Sequence, residues 1–393
     1  MVIKKAVIDK ANRLYKMAPD IFSFTREKPR PSPLKKTRLL DLARFRWPVS
    51  MDSGSVPGEK QFAPADRAKL DELKEALSQW FSDHRQVKIS GDREIFIGAG
   101  ISSLILNIGL AFIDNGDIVF VPELGVPLYK KVTAACGGEP VHYSVTPKTG
   151  WRPDFERINT RLGRVARLLF LNSPHNPTGA ALNEKETGDL VWMAARENTV
   201  IINDAAYQSV DARTPTSLLA VDGGKKVGAE VYSFSYLLGL PPLPFGFVAG
   251  NRDVISGLEA VSGLMPAFIP EYYVDLALRA LRMYPGDGLK LARDRMHRCE
   301  AEVAGLLNLL ALEKSGYDTV PFVWAQIAGR RSARTQAGIL YRRMRVLVAP
   351  GTSFGDSGEG FLRLSLTAEP EDYRAACERI RQRGRILKVG DES

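Results

Sequence analysis

Short apolar segments with the length of β-strands alternate with amphipathic helical patterns along much of this chain. Buried strands read as continuous apolar runs, whereas amphipathic helices repeat their apolar positions every three to four residues. The strand-like segments are residues 94–98, 118–121, 140–143, 168–171, 200–203, 232–234 and 247–249. This alternation predicts an α/β fold in which helices cover both faces of a mostly parallel sheet.

Polar side chains follow three of these strand-like segments. Asn172 and Asp204 come directly after segments 168–171 and 200–203, and Ser235 follows segment 232–234. In open parallel sheets, ligands bind outside the carboxyl ends of the strands. We therefore expect these three side chains to converge on one pocket.

The length of the chain and a change of pattern near residue 287 indicate more than one domain. A chain of 393 residues suits one large and one smaller domain. A long amphipathic helical pattern begins at residue 287 and leads into further strand and helix signals. We predict an N-terminal arm over residues 1–48, a large domain over 49–286 and a small domain over 287–393.

The predicted arm holds an excess of basic residues that equals the net charge of the whole protein. Residues 1–48 hold 13 Lys and Arg against 4 Asp and Glu, an excess equal to the net charge of +9 of the whole chain. Such an arm can contact nucleic acid, an acidic surface or a partner subunit. It has neither a helix-turn-helix pattern nor aromatic residues spaced for base stacking. We favour an arm that wraps a neighbouring subunit, and we do not expect nucleic-acid binding.

Composition argues against membrane, secreted and metal-binding classes. No run of eighteen apolar residues is present, and the N-terminus lacks an apolar core followed by a cleavage site. The three cysteines and four histidines are scattered, without metal-ligand or disulfide spacing; they are Cys136, Cys299, Cys377, His84, His142, His175 and His297. We expect a cytoplasmic protein with reduced thiols and no metal site.

Four motifs together are more specific than any one of them. They are NSPHNPTG (172–179), IINDAAY (201–207), VYSFSYLLGLPPLPFGFVAGN (231–251) and GEGFLRLSLT (358–367). In order and spacing this set resembles the class I/II aminotransferases, which depend on pyridoxal phosphate (PLP) and have the aspartate aminotransferase fold. The resemblance covers residues 60–385. It implies PLP fold type I: a mostly parallel seven-stranded sheet in the large domain, an α+β small domain joined by the arm, and a homodimer.

The resemblance assigns roles to the polar residues at the strand ends. Asn176 matches the donor to the phenolic oxygen of PLP, and Tyr207 matches a second residue at that oxygen. Asp204 matches the carboxylate that keeps the pyridine nitrogen protonated, so that the ring can accept electrons. Arg363 matches the arginine that clamps the α-carboxylate of a 2-amino or 2-oxo acid substrate.

The phosphate of the cofactor is matched by weaker signals. A strand, a glycine turn and a helix start place free backbone N–H groups at Ile101 and Ser102, a geometry that favours an anion. Ser233 and Ser235 also match phosphate positions of the family. Serines near turns are common, so each of these matches alone is a weak signal.

Four positions depart from the family pattern, and the departures concern the cofactor. Tyr236 stands where the family has the lysine that forms the Schiff base, and Pro244 replaces a phosphate-binding arginine. Val126 replaces the aromatic residue that stacks on the cofactor ring. Phe62 aligns with the tyrosine that reaches the cofactor phosphate from the neighbouring subunit. A phenol cannot form an imine. The lost arginine and aromatic contacts imply roughly 30- to 2000-fold weaker noncovalent binding.

Two interpretations remain. In the first, the chain is a degenerate member that has lost transamination and keeps a ligand-binding, partner-binding or structural role. In the second, it is an enzyme that binds PLP or pyridoxamine phosphate noncovalently and uses Tyr236 to transfer protons. A tyrosine pKa of about 10 makes a poor base, and the apolar surroundings of Tyr236 would raise it further. We favour the first interpretation. The side-chain preference resembles the branch with the LL-diaminopimelate and aromatic aminotransferases.

Overall fold

A computed structural model describes residues 40–41, 63–154, 166–210, 216–239, 245–262, 268–317, 320–329 and 331–382. Its strands are β1 (Leu40–Asp41), β2 (Ile95–Gly98), β3 (Ile118–Pro122), β4 (Glu139–Tyr143), β5 (Ala166–Asn172), β6 (Val200–Asp204), β7 (Gly228–Ser233), β8 (Gly246–Gly250), β9 (Leu312–Lys314), β10 (Phe322–Ile327), β11 (Val346–Leu347), β12 (Ala349–Pro350) and β13 (Phe361–Ser365).

The α-helices lie between these strands and after them. They are α1 (Arg67–Arg85), α2 (Gly91–Glu94), α3 (Gly100–Phe112), α4 (Leu128–Ala135), α5 (Glu184–Glu197), α6 (Gly224–Val227), α7 (Phe234–Leu238), α8 (Arg252–Ser262), α9 (Glu271–Arg282), α10 (Asp287–Leu309), α11 (Ala333–Ile339) and α12 (Pro370–Gln382). None of the helices in the described residues is both long and apolar enough to cross a membrane.

A seven-stranded sheet organises the N-terminal part of the described chain. Its strand order is β2-β8-β7-β6-β5-β3-β4. Strands β7, β6, β5, β3 and β4 pair in parallel, in that order across the sheet. Strand β8 pairs antiparallel with both β7 and β2. The predicted fold class, a mostly parallel α/β sheet, is confirmed. The central strands are apolar and buried because helices cover both of their faces.

Local sequence signals explain where the covering helices begin and end. Helix α1 begins after Asp66, whose carboxylate accepts the Lys69 N–H at 2.8 Å, and ends at Gln86 in the left-handed conformation. Helix α5 begins with a capping box in which Asn183 and Glu186 each accept the other's backbone N–H at 2.9 Å. These caps satisfy amide groups that the first helical turn leaves without helical partners.

A second, antiparallel sheet with strand order β12-β13-β10-β9 follows in the C-terminal part. Helix α10 packs with the sheet through buried residues such as Leu306, and Tyr373 of α12 joins the same apolar cluster. Strand β1 pairs in parallel with β11. The division into 1–48, 49–286 and 287–393 stays a prediction.

Candidate functional site

Two neighbouring strands of the large sheet end at adjacent polar residues. Asn172 at the end of β5 is paired in register with Asp204 at the end of β6. The Asn172 side chain donates to the Asp204 carbonyl at 2.8 Å, and its Oδ1 accepts the N–H of Asn176 at the same distance. Asn172 therefore fixes the NSPHNPTG loop against the end of β6.

His175 further stabilises this loop from inside. Its Nε2 lies 2.9 Å from the carbonyl oxygen of Leu124, and its Nδ1 lies 2.8 Å from the hydroxyl of Thr178. Burial lowers the pKa of His175 to about 4. The ring is therefore neutral at pH 7, and we assign it a structural hydrogen-bonding role.

Asp204 is a buried carboxylate with two described donors. Its Oδ2 accepts the hydroxyl of Tyr129 at 2.7 Å, and its Oδ1 accepts the N–H of Ala206 at 3.2 Å. Burial raises the pKa of Asp204 to about 6, while these two hydrogen bonds oppose the rise. Asp204 can thus carry a negative charge at neutral pH, and a cationic partner would favour that charge.

Tyr129 is a site residue that the sequence analysis missed. It is fully buried, and its ring stacks on Phe170 with centroids 5.3 Å apart. The available signal was the motif LGVPLY, in which Tyr129 follows Val126 by three residues. Tyr129 positions the Asp204 carboxylate by donating to it.

Tyr236 and Tyr207 lie side by side just beyond the ends of β7 and β6. Their ring centroids are 5.0 Å apart, and a hydrogen bond joins the two hydroxyls. Burial raises the pKa of Tyr236 to about 12, although the Tyr207 hydroxyl and the charge of Arg363 oppose the rise. Burial also raises the pKa of Tyr207 well above its usual range. Both phenols are therefore protonated at neutral pH and are poor proton acceptors.

Arg363 on β13 lies next to this pair. Its Nη1 donates to Asn176 Oδ1 at 2.9 Å, and its guanidinium carbon lies 4.9 Å from the ring centre of Phe322 and 4.8 Å from that of Phe354. The Phe354 carbonyl in turn accepts the N–H of Gly125 at 2.8 Å. Two aromatic rings and one amide thus hold the guanidinium in a single orientation.

The residues matched to phosphate and ring stacking lie on the elements around this centre. Ile101 and Ser102 lie in the first turn of α3; Ile101 packs against the apolar cluster that contains Tyr207, and Ser102 is exposed. Ser233 and Ser235 are buried where β7 passes into α7. Val126 lines a cleft of about 840 Å³ that also reaches Phe354. Pro244 and Phe62 lie outside the described residues.

The lysines nearest to Tyr236 in the sequence lie at the opposite end of β7 from the site. Helix α6 carries Lys225 and Lys226 and precedes β7, so both lie at the amino end of that strand. Lys225 Nζ donates to the carbonyl of Lys88 at 2.6 Å and to a Glu94 carboxylate oxygen at 2.9 Å. The site lies at the opposite, carboxyl end of β7.

A second missed feature is a buried polar cluster around Glu230, which is fully buried in β7. Its Oε1 accepts the side chains of Asn203 and Gln208 and the N–H of Leu218, and its Oε2 accepts the hydroxyls of Ser217 and Tyr232. The donor–acceptor distances run from 2.6 Å for Ser217 to 3.0 Å for Gln208.

This cluster supports the site from behind. Asn203 precedes Asp204 in β6, and its Oδ1 accepts the N–H of Ser173 in the NSPHNPTG loop at 3.0 Å. Gln208 follows Tyr207 directly. Glu230 therefore connects the segments that carry Asn176, Asp204 and Tyr207.

Comparisons with known proteins identify the family. The sequence profile described as "Aminotransferase class I and II" matches residues 60–380. The chain belongs to the class I and II aminotransferase family. This aminotransferase-family chain is similar to the LL-diaminopimelate aminotransferase of Natranaerobius thermophilus, with 31% identity over 322 residues, covering 79% of this chain and 81% of that protein. It is 28% identical over 328 residues to the enzyme of the same name from Desulforudis audaxviator, covering 83% of each.

Solved structures agree on the fold of this aminotransferase-family chain. Substrate-bound BacF from Bacillus subtilis superposes with a TM-score of 0.79 at 24% identity, covering 92% of this chain and 93% of that one. The aromatic aminotransferase from Pyrococcus horikoshii OT3 gives 0.77 at 21% identity, covering 88% and 94%. The predicted family and fold type I are confirmed.

The pKa of Asp204 leads to a prediction about stability. Because the pKa is about 6 in the folded chain and near 3.9 in an unfolded one, folded and unfolded states are equally protonated below pH 3.9. As pH rises from there through 6, the unfolded state ionises first and the folded state loses stability. We expect Asp204→Asn to be more stable than the parent by about 1–3 kcal/mol at pH 7.5, with a smaller difference at pH 4.5.

Urea unfolding of both proteins at the two pH values measures this difference. Asp189, an exposed residue paired with Lys185, supplies the control Asp189→Asn. We expect that control to be nearly neutral. The prediction is contradicted if the difference in unfolding free energy between Asp204→Asn and the parent is the same at pH 4.5 and pH 7.5.

Proposed function

We propose that this aminotransferase-family protein does not carry out lysine-dependent transamination and instead binds a small carboxylic acid at the strand-end site. The observation that carries the proposal is Tyr236, a protonated phenol in the first helical turn after β7, beside Tyr207 and Arg363. A phenol forms no imine with an aldehyde.

Carboxylate binding is supported by Arg363 and Asn176. The guanidinium lies between two aromatic rings and is held by the Asn176 amide at 2.9 Å, so it loses little conformational freedom when it binds. A guanidinium presents paired N–H groups that match the two oxygens of a carboxylate. The ligand class that fits is a small 2-amino or 2-oxo acid or an analogue.

A second candidate is an enzyme that holds PLP or pyridoxamine phosphate without a covalent bond. Asp204 favours it, because a buried carboxylate supported by Tyr129 suits a protonated pyridine nitrogen. Asn176 and Tyr207 would border the ring, and the residues at this edge fit the cofactor, whereas Tyr236 does not fit covalent attachment. When bound, the ring supplies an electron sink. The names of the curated relatives also favour aminotransferase activity.

The family resemblance supports three further proposals. We propose that the protein is a homodimer in the cytoplasm, that residues 1–48 wrap the neighbouring subunit, and that the large and small domains divide near residue 287. Deleting residues 1–48 and measuring the mass in solution by light scattering tests the role of the arm. A deletion that dimerises like the full chain contradicts it.

The experiment for the main proposal combines borohydride reduction with ligand binding. After incubation with PLP and borohydride, we expect no stoichiometric PLP adduct at the strand-end site, because Tyr236 supplies no amine. Calorimetry with small 2-oxo and 2-amino acids is expected to show binding that Arg363→Gln weakens about 100-fold, as for a lost charge-assisted pair.

For each expected result, a specific opposite result would contradict the proposal. Surface lysines can react nonspecifically, so any adduct is located by peptide mapping. Lys225→Ala removes a lysine at the opposite end of β7 from the site and serves as the control variant for such reactions. A stoichiometric adduct on one lysine with turnover of an amino acid contradicts the proposal. So does carboxylate binding that Arg363→Gln leaves intact.

A further inference from the structure

The Arg363 guanidinium is held by two segments that belong to the large sheet. In the NSPHNPTG loop, the side-chain oxygen of Asn176 accepts its Nη1 at 2.9 Å. On one face lies the ring of Phe354, with its centre 4.8 Å from the guanidinium carbon, and the carbonyl of Phe354 accepts the N–H of Gly125 at 2.8 Å. The orientation of the guanidinium therefore depends on how the loop and the segment with Gly125 lie relative to each other.

His175 is the side chain that joins these two segments. It directly precedes Asn176, and its Nε2 lies 2.9 Å from the carbonyl oxygen of Leu124, which directly precedes Gly125. The backbone N–H of His175 donates to the carbonyl of Ala180 at 2.7 Å, which fixes the start of the side chain within the loop. One imidazole ring thus ties together the residues next to both contacts of the guanidinium.

The partners of the ring define a single tautomer. A carbonyl oxygen only accepts, so Nε2 carries the proton that is donated to Leu124. Nδ1 is then the acceptor for the hydroxyl of Thr178 at 2.8 Å. The carbonyl of Thr178 accepts the N–H of Tyr317, just after β9, at 2.8 Å. The loop is therefore also tied to the second sheet, on which Arg363 lies.

We infer that His175 is a positioning residue for Arg363: by bridging the loop with Asn176 to Leu124, it holds the guanidinium in the orientation that receives a carboxylate. The effect on ligand affinity rests on the proposed function, since it requires a carboxylate at Arg363. The inference goes further by assigning control of that affinity to a buried ring that acts through Asn176 and Phe354.

Three substitutions at position 175 separate this role from a purely structural one. His175→Phe keeps an aromatic ring and removes both hydrogen bonds. In His175→Gln the amide nitrogen is three bonds from Cβ, as Nε2 is in histidine, so the donor to Leu124 is kept. In His175→Asn the amide is two bonds from Cβ, as Nδ1 is, so a partner for Thr178 is kept and the bridge to Leu124 is lost.

Calorimetry with propionate and with pyruvate at pH 7.5 measures the effect on affinity. We expect His175→Phe and His175→Asn to weaken both acids about three- to tenfold, because a guanidinium that is no longer held loses conformational freedom on binding. We expect His175→Gln to stay within about twofold of the parent. The matched control is Thr199→Val, which removes a buried hydrogen bond of 2.9 Å to the Ala166 carbonyl at the amino end of β6. It is expected to lose stability and to bind both acids like the parent.

The reactivity of Arg363 toward phenylglyoxal tests the same point without a ligand. A guanidinium held between aromatic rings and an amide is expected to react more slowly than one that moves freely. Peptide mapping gives the rate at Arg363 relative to Arg67, whose side chain is 96% exposed. We expect this ratio to rise at least about threefold in His175→Phe, and to stay at the parental value in His175→Gln and Thr199→Val.

Arg363→Gln distinguishes failure of the inference from failure of the proposed function. If it binds propionate as well as the parent does, the proposed carboxylate site is wrong, while the phenylglyoxal rate still decides whether His175 positions the guanidinium. If Arg363→Gln weakens propionate but all three variants at position 175 bind like the parent, the proposed function stands and the inference fails. The inference also fails if His175→Gln is as weak as His175→Asn. That comparison decides the matter if thermal unfolding shows that His175→Phe does not fold.

Discussion

Replacing Glu230 with alanine is expected to lower the free energy of unfolding by about 3–5 kcal/mol, because it removes the acceptor shared by five buried donors. The Tyr232 hydroxyl could still donate to Gln208 Oε1 at 3.1 Å, but the other donors would lose this acceptor or would need a water molecule in the space that the side chain leaves. Single domains are commonly stable by only about 5–15 kcal/mol. Denaturant unfolding at pH 7 followed by far-ultraviolet circular dichroism measures the loss.

Two further variants keep this prediction testable if the alanine variant does not fold. Tyr232→Phe removes one of the five donors and keeps the carboxylate, so we expect a loss of only about 1 kcal/mol. Glu313→Ala replaces an exposed glutamate on β9 and is expected to change stability by less than about 0.5 kcal/mol. A Glu230→Ala protein within 1 kcal/mol of the parent would contradict the assignment of Glu230 as the centre of this cluster.

The sheet could be predicted from sequence because its strands are buried on both faces. Strand β6 has the sequence VIIND, and four of its five residues are buried. In such strands the apolar run and the strand coincide, so segment 200–203 lies within β6. The polar residue after each run then marks the carboxyl edge of the sheet, which explains why Asn172 and Asp204 were correctly expected to lie close together.

Boundaries were less certain where an apolar run passes from strand to helix. The predicted strand 232–234 includes Phe234, but β7 ends at Ser233 and α7 begins at Phe234. Glu94 was likewise assigned to a strand, yet it ends α2, and β2 begins at Ile95. A short apolar run fits either structure, since its periodicity cannot separate a strand from a buried helical turn.

The parts of the site that sequence reasoning missed depend on distant partners. Tyr129 donates to a carboxylate 75 positions later in the chain, and Glu230 accepts donors from β6, from the turn after it and from the segment before α6. The local sequence around Tyr129 or Glu230 does not indicate which distant residue it forms a hydrogen bond with. A glutamate inside the apolar strand GAEVYS was the one visible sign, because a buried charge requires compensating donors.

Placing an amine at position 236 is expected to add covalent chemistry to the site. In Tyr236→Lys, the amine would lie near the Arg363 guanidinium and in the same buried surroundings that raise the pKa of the phenol. Burial and a nearby positive charge both lower the pKa of an amine, which keeps it neutral and nucleophilic. We expect one PLP per chain to become attached and to be fixed by borohydride, against none in the parent; intact-mass spectrometry and the visible absorption band measure both.

Two controls show which residues this capture requires. Tyr236→Phe places no amine at position 236, and this position is expected to remain unmodified. In Tyr236→Lys combined with Asp204→Asn, the pyridine nitrogen loses its carboxylate partner, so half-saturation is expected to need at least about tenfold more PLP. If Tyr236→Lys folds and still captures no PLP, the residue at position 236 is not what controls covalent attachment. We would then ascribe the failure to the ring-stacking and phosphate contacts, including the predicted departure at Val126, and Asp204 and Arg363 would serve a ligand other than the cofactor.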